Sequence, residues 1–423
     1  MTALRRLAQS RFFRGVVAIA GGTAVAQAVG VLLSPIITRL YTPEAMGLWG
    51  LFVSFLGVAA VVATLRYEVA IVAAASEEDA LALTRSGLVL GIFTGLFSAL
   101  ILEVMRKNDV LGYGHLPPWV SLLAFPAVVA FAWGKVLRYY SVRKGTFGLV
   151  GRFTVVQGVA RPLAQVFFFP LGGVGLLLGE SLGRFLGLTS FIIILPKISP
   201  GVLYGLSPIR VLLRYKSYPL TMVPSGLLDT LALMAPIPVF TSLFGAGIGG
   251  NLALAQRVAA LPVSLIGAAV GDVFYGEVAG LAREKPQSLR PFLIMTMLKL
   301  LSVALPIGLF LRYIAPQLTI WVFGDAWEAT GKMLAALAPW MVAQLAVSPV
   351  SRAVFISRHL WIKVIYDVAF LASYGIVYKL AGLGYLKAML VFSWTQVFLY
   401  VVYAVLLWWS VGESMVMVVR EEA

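Results

Sequence analysis

MGLWGLFVSFLGVAAVVATLR, residues 46–66, carries no charged side chain until its last position. Twenty such residues coiled as an α-helix rise about 30 Å, which is the thickness of a bilayer's hydrocarbon core. A helix on the surface of a soluble protein keeps one polar face. This segment has none, so its natural solvent is lipid. Comparable runs lie on either side of it, and the spacing predicts spans at 15–38, 46–66, 82–102, 119–140, 149–169, 176–195, 217–240, 250–271, 291–313, 332–355, 361–380 and 386–409. The whole chain agrees with its decisive stretch: of 423 residues, 60% are hydrophobic and 12% charged. Soluble domains average roughly half apolar and a quarter charged. The expected fold is an all-α membrane protein of about twelve transmembrane helices.

The formal charge of +15 would suggest nucleic acid in a soluble protein. Here it falls in short loops between apolar spans, where topology accounts for it. With the N-terminus inside, Arg85, Arg143, Lys144, Arg210, Arg214, Lys216, Arg283, Lys285 and Arg290 lie on the cytoplasmic side, and far fewer basic residues lie outside. Both termini are then cytoplasmic. The opening MTALRRLAQSRFFRG reads as a retained basic arm before the first span, because no small-residue cleavage site follows a short apolar core.

No cysteine is present, which excludes disulfides, thiolate nucleophiles and Cys-bound metals. The two histidines, His115 and His359, fall in loops. No G-x-x-x-x-G-K-[ST] loop exists for a nucleotide, and no connection is long enough for a catalytic domain. These features point away from an enzyme, and no cofactor is called for.

The longest inside connection, 196–216, divides the chain near its centre into an N-terminal lobe (1–195) and a C-terminal lobe (217–423). Within it, Ile209, Leu212 and Leu213 oppose Arg210, Arg214 and Lys216, the pattern of a short amphipathic helix on the inner leaflet or of an ordinary basic linker. LYTPEAMGLWGL (40–51) can be laid on LFGAGIGGNLAL (243–254), each between two spans. Two pseudo-symmetric six-helix lobes follow, as in transporters built from parallel repeats.

Polar residues within the spans form ladders. Thr23, Gln27, Ser34 and Thr38 share one side of the first span; Thr154, Gln157, Arg161 and Gln165 line the fifth. Thr221, Ser225 and Asp229 rise at fours in the seventh, Gln344, Ser348 and Arg352 in the tenth, and Lys363 and Asp367 begin a stripe in the eleventh. One ladder can be interhelical glue. Five of them suggest a shared hydrated cavity facing both lobes.

A guanidinium in mid-span costs about 2.5–3.5 kcal/mol on insertion scales, so Arg161, at mid-span, and Arg257, in the outer third of the eighth span, need a reason. Their planar forks suit phosphate; the rival reading is an ion pair with Asp229, Asp367 or Glu180. Arg184 follows Glu180 by four residues, the favourable order for an intrahelical pair. Arg66 and Glu68 read as an interface lock. Asp229 is a coupling site for a proton or cation, or the partner of a buried arginine. Prolines at 219, 224, 236 and 238 mark the seventh span as a bending element.

SPIITRLYTPEAMGLW (34–49) and ATLRYEVAIV (63–72) resemble the first outer turn and second span of Wzx-type polysaccharide flippases. VFGDAWEATG (322–331) and LAPWMVAQLAVSPVSRAVFISRH (337–359) are similar to a later outer turn and the tenth span. The resemblance implies membership of the multidrug/oligosaccharidyl-lipid/polysaccharide exporter superfamily and a V of two six-helix lobes. It implies transfer of undecaprenyl-diphosphate-linked repeat units from the cytoplasmic to the periplasmic leaflet of a bacterial inner membrane. Arg161 and Arg257 would then counter the diphosphate charge, Gln157, Gln165 and Gln344 would contact sugars, and Gln27 and Arg66 would line the same cavity. The partners implied are the lipid-linked oligosaccharide, membrane lipids and a downstream glycan polymerase, with no nucleic acid. The alternative is a drug or metabolite exporter of the same fold, which would need an acidic cavity.

Overall fold

The computed structural model describes residues 11–198, 208–355, 359 and 361–421. The described residues are almost wholly helical and include no strand. The chain forms two compact units, residues 1–242 and 243–423.

The first unit contains α1 (Arg11–Leu40), α2 (Pro43–Val62), α3 (Tyr67–Ala73), α4 (Glu77–Lys107), α5 (Val120–Arg143), α6 (Phe147–Phe167), α7 (Gly173–Leu188), α8 (Pro208–Arg214), α9 (Ser217–Met234) and most of α10 (Pro236–Phe244). The second contains α11 (Ala246–Glu284), α12 (Leu289–Leu309), α13 (Ala315–Phe323), α14 (Glu328–Val347), α15 (Trp361–Leu380) and α16 (Tyr385–Glu421). Every expected span overlies helix. Among the described residues nine helices are long and apolar enough to cross a membrane, and the bent pair α9–α10 makes a tenth. By length and composition alone the described residues therefore give nine to ten of the expected spans. α6 is absent from that set because it carries the polar ladder.

Local chemistry sets the breaks. Between α1 and α2, Thr42 adopts extended backbone and its side chain accepts a hydrogen bond from the Ala45 amide at 3.3 Å. Pro43 and Glu44 follow, a proline preset for the first turn and an acid at the positive end of the helix dipole. α4 is built likewise. Ser76 caps it by accepting from the Asp79 amide at 3.0 Å, its first turn holds Glu77, Glu78 and Asp79, and its last holds Arg106 and Lys107. α2 and α3 are parted by Leu65 and Arg66, both left-handed with φ of 49° and 63°. Such a conformation costs a non-glycine residue roughly 1–3 kcal/mol and persists only where its surroundings hold it. The expected bend in the seventh span is present: α9 and α10 meet at 43°, where Pro236 removes an amide donor.

Glycines let the helices of the first unit approach closely. Gly87, Gly91 and Gly95 on α4 face Val136, Ala132 and Val129 on α5. Gly151 and Gly158 on α6 face Ala18 and Ala26 on α1, while Gly179, Gly183 and Gly187 on α7 face Gln165, Arg161 and Gln157 on α6. α6 is thus shielded by α1 on one side and α7 on the other, which is how so polar a helix avoids lipid. Leu51, Phe52, Leu56, Leu102, Val128 and Leu177 join α2, α4, α5 and α7 in one apolar core. In the second unit α14 is central, and its Thr330 donates to the Asn251 side chain on α11 at 2.9 Å.

The linker helix α8 docks on the first unit. Val211 enters the core, Arg214 pairs with Asp79 at 2.9 Å, and the Tyr67 hydroxyl donates to the Leu212 carbonyl at 2.9 Å. Ile209 and Leu213 stay exposed. Residues 199–207 of the linker lie outside the described residues.

The α6–α7 seam makes a direct prediction. A Cβ at Gly183 would lie 2.4–2.6 Å from Arg161 atoms that include its backbone nitrogen and Cα. Overpacking of this kind costs roughly 1–3 kcal/mol, so Gly183→Ala lowers the melting temperature in detergent. Gly375, in α15, has nothing within 4 Å of its Cβ position. Gly375→Ala leaves the melting temperature unchanged or raises it, by the helix propensity gained.

Candidate functional site

α6 and α7 run antiparallel, and their seam pairs one side chain of the ladder with one glycine per turn: Gln157 with Gly187, Arg161 with Gly183, Gln165 with Gly179. The pairing fixes the height of each polar group. Gln165, at 3% exposure, is sealed in the seam, and its carbonyl accepts a hydrogen bond from the Tyr41 hydroxyl at 2.6 Å. Arg161 and Gln157 are half-buried.

From this position Arg161 reaches Glu180, with Nη1 to Oε1 at 3.3 Å. Glu180 is 2% exposed and takes two further donors: Arg184, one turn along α7, and the Trp49 indole on α2 at 3.2 Å. The Arg184 guanidinium lies 3.8 Å over the Phe131 ring of α5. Four helices therefore meet in one knot. It holds two guanidinium groups and one carboxylate, an excess of one positive charge. Arg184 is enclosed, whereas 35% of the Arg161 side chain remains exposed. In a low-dielectric setting a guanidinium so placed attracts an anion, and its fork matches the oxygens of a phosphate.

A second knot repeats the stoichiometry. The left-handed turn at Arg66 lays its guanidinium against Gly226 of α9, 2.4 Å from where a Cβ would stand. Its Nε is buried with no hydrogen-bond partner among the described residues. Glu68 was expected to pair with Arg66; instead it accepts from Thr64 and faces Lys135 of α5 at 3.9 Å. Lys135 also donates to the Ala60 carbonyl at 2.6 Å. Residues two apart do not face each other on a helix, and the left-handed turn sends Arg66 toward Gly226 of α9 while Glu68 opens α3 toward Lys135. Lys135 escaped the sequence reading, although its place within an apolar span was signal enough.

The remaining candidates are dispersed. Gln27 on α1 and Asp229 on α9 are half-buried in the first unit, and Arg257 on α11 and Gln344 on α14 in the second. Asp367, 4% exposed, pairs within its own helix with Lys363 at 2.5 Å. The tenth-span ladder is broken after one turn: the Ser348 amide still donates to the Gln344 carbonyl, but Ser348–Phe355 is a 3-10 segment, so Arg352 does not continue the Gln344 stripe. Several ladder hydroxyls serve their own helices and not neighbouring ones: Thr23 donates to the Ile19 carbonyl at 2.9 Å, Thr221 to Ser217 at 2.7 Å and Thr154 to Val150 at 3.0 Å. Among the described residues no group of three or more His, Cys, Asp or Glu could hold a metal ion.

The fold is that of a membrane transporter. The structure is similar to the lipid II flippase MurJ in an inward closed conformation (TM-score 0.69, 14% identity, 95% of this chain and 91% of that one). It is also similar to an inward-facing multidrug resistance MATE family transporter of the MOP superfamily (TM-score 0.58, 15% identity, 94% and 96%). A Vibrio cholerae MATE transporter aligns with TM-score 0.58 and 14% identity over 98% of each chain. No curated protein sequence matches the chain. Residues 36–332 match the family described as "Polysaccharide biosynthesis protein", and the chain belongs to that family. The expected kinship with Wzx-type flippases and the superfamily-level fold are thereby borne out.

The knot can be tested through stability. Glu180→Gln leaves Arg184 enclosed without its carboxylate, and breaking a buried ion pair in this way costs roughly 3–5 kcal/mol. The melting temperature should fall sharply. It should recover in part in the double variant Glu180→Gln with Arg184→Met, which removes the buried charge as well. Equal melting of Glu180→Gln and the unmodified protein would mean the pair is not formed.

Proposed function

We propose that this protein carries undecaprenyl-diphosphate-linked oligosaccharide repeat units from the cytoplasmic to the periplasmic leaflet of a bacterial inner membrane, by alternating access and with both termini cytoplasmic. The observation that carries this reading is the charge excess of the Arg161–Glu180–Arg184 knot on a half-exposed face, in a chain of the polysaccharide biosynthesis family. A substrate of this class presents an anionic diphosphate, a polar glycan and a long apolar tail. Its head would dock at Arg161, its sugars would meet Gln157, Gln27 and Gln344, and the tail would stay in apolar surroundings. Arg66 and Arg257 would add to the attraction for phosphate, and Asp229 would serve as a coupling group or a counter-charge. The six-plus-six lobe organisation, with the linker at 196–216, would supply the two moving bodies. The released unit would pass to a glycan polymerase.

Export of organic cations is the rival reading for this fold. It requires a net negative site, and both knots carry two cations to one carboxylate.

The test is transfer in proteoliposomes loaded with a fluorescent undecaprenyl-diphosphate oligosaccharide. Arg161→Gln removes one charge-assisted contact, worth roughly 1.5–3 kcal/mol, and so slows transfer about tenfold to a hundredfold at limiting substrate. Arg161→Lys recovers part of the loss. Cysteines placed at 157, 161 and 344 react with a membrane-impermeant thiol reagent in the otherwise cysteine-free chain, and bound substrate protects position 157, where Arg161 is retained. Transport of organic cations with no dependence on Arg161 would refute the proposal.

A further inference from the structure

A groove of about 740 Å³ lies wholly within the second unit, between α12, α14 and α16. Its walls are aliphatic and aromatic: Leu298 and Leu305 from α12, Val342 from α14, and Trp394, Val401 and Trp408 from α16. A smaller hollow shares Ile294, Leu298 and Trp408 with it and continues it to Arg290. At the far end the lining closes with Arg312 and Tyr313. Many lining side chains are exposed, Leu298 by 55%, Trp394 by 58% and Tyr313 by 69%, so the groove is open along its length.

The two ends are alike in charge. Arg290 lies 4.3 Å over the Trp408 ring and its Nε donates to the Trp408 carbonyl at 3.2 Å. Arg312 is anchored to the Ala335 carbonyl at 3.2 Å. Stacking and anchoring hold both guanidinium groups at the rims. The 22 residues from Arg290 to Arg312 correspond to about 33 Å of helix rise, close to the full hydrocarbon thickness of roughly 30 Å. An ordinary phospholipid tail crosses only one leaflet, about half of that thickness. The groove is therefore too long for one such tail. It fits an extended apolar chain that reaches across both leaflets, with a phosphate at one end or the other.

The geometry points to a track for the polyprenyl tail of a phosphate-bearing lipid, with Arg290 and Arg312 as alternative phosphate stations on opposite faces of the membrane. This inference rests on the function proposed above and deepens it. A tail held in one groove while its head changes sides never has to be released into bulk lipid. The phosphate rests at one rim arginine before transfer and at the other after it, and the tail keeps an apolar lining throughout.

The experiment uses the full-length protein in phosphatidylcholine nanodiscs. Undecaprenyl phosphate with a diazirine at the far end of its tail is the probe, and labelled peptides are read by mass spectrometry. Labelling is expected within 294–313 and 394–408, to persist under excess phosphatidylglycerol, and to be weak with geranyl phosphate carrying the same group. Ala404→Trp fills the groove and should cut labelling at least about tenfold, equivalent to ~1.4 kcal/mol; Val401→Trp, at an exposed position, does the same should Ala404→Trp fail to fold. Suppression by phosphatidylglycerol would make the groove a seat for ordinary membrane lipid and overturn the proposal. Labelling confined to other segments would overturn the track while leaving the transport reading intact. Absence of labelling anywhere in the chain would overturn both.

Discussion

Glu180 is the point on which the first unit turns. A carboxylate at 2% exposure is costly unless its charge is answered, and here it is answered three times, from α2, α6 and α7. Each partner demands close packing. Arg161 reaches Glu180 only because Gly183 lets the two backbones touch, and Arg184 is accommodated because the Phe131 face offers it a cation–π surface. The glycine seam and the charge knot are therefore one device. The small residues permit the approach, and the buried ions specify the register at which the helices stop.

The same constraint explains why a helix as polar as α6 is stable here. Gln157, Arg161 and Gln165 could not face acyl chains. Laid against α7 they exchange lipid for backbone, carboxylate and one another. Sealing is incomplete at Arg161, and that incompleteness gives the unit its chemistry. A knot with one more carboxylate would be neutral, whereas one without Glu180 would leave the enclosed Arg184 guanidinium unanswered and facing the half-exposed Arg161. Two cations to one anion lies between these limits.

Much of this is written in the sequence, because apolar length and helical spacing are local properties. The twelve spans, the bend before Pro236 and the α6 ladder follow from counting residues. Gly179, Gly183 and Gly187 stand at fours directly beside Glu180 and Arg184, so the seam too was open to reading, but glycine carries no polarity to draw attention. Other features are not local. Leu65 and Arg66 turn left-handed without a glycine or proline to announce it; the turn is imposed by packing, and it sets the direction in which Arg66 reaches Gly226 and α3 presents Glu68 to Lys135. The 3-10 segment after Val347 likewise overrides the four-residue spacing that joined Gln344 to Arg352. In each case tertiary contacts outweigh local preferences worth only about a kilocalorie or so per residue.

A carrier must also let go. A ligand can shift a conformational equilibrium only by its difference in affinity between the two states, so a site that grips a diphosphate equally well in both would bind without transporting. The knot offers a means of creating that difference. Arg161 spans an exposed face and a buried carboxylate, and its bond to Glu180 at 3.3 Å is long for a charge-assisted contact. On the proposed function, a bound phosphate would compete with Glu180 for the same guanidinium. Any shift of α7 along its glycine seam that tightened the Arg161–Glu180 contact would then weaken the hold on phosphate, and one that loosened it would strengthen that hold. Affinity at Arg161 would thereby be coupled to helix position through one side chain.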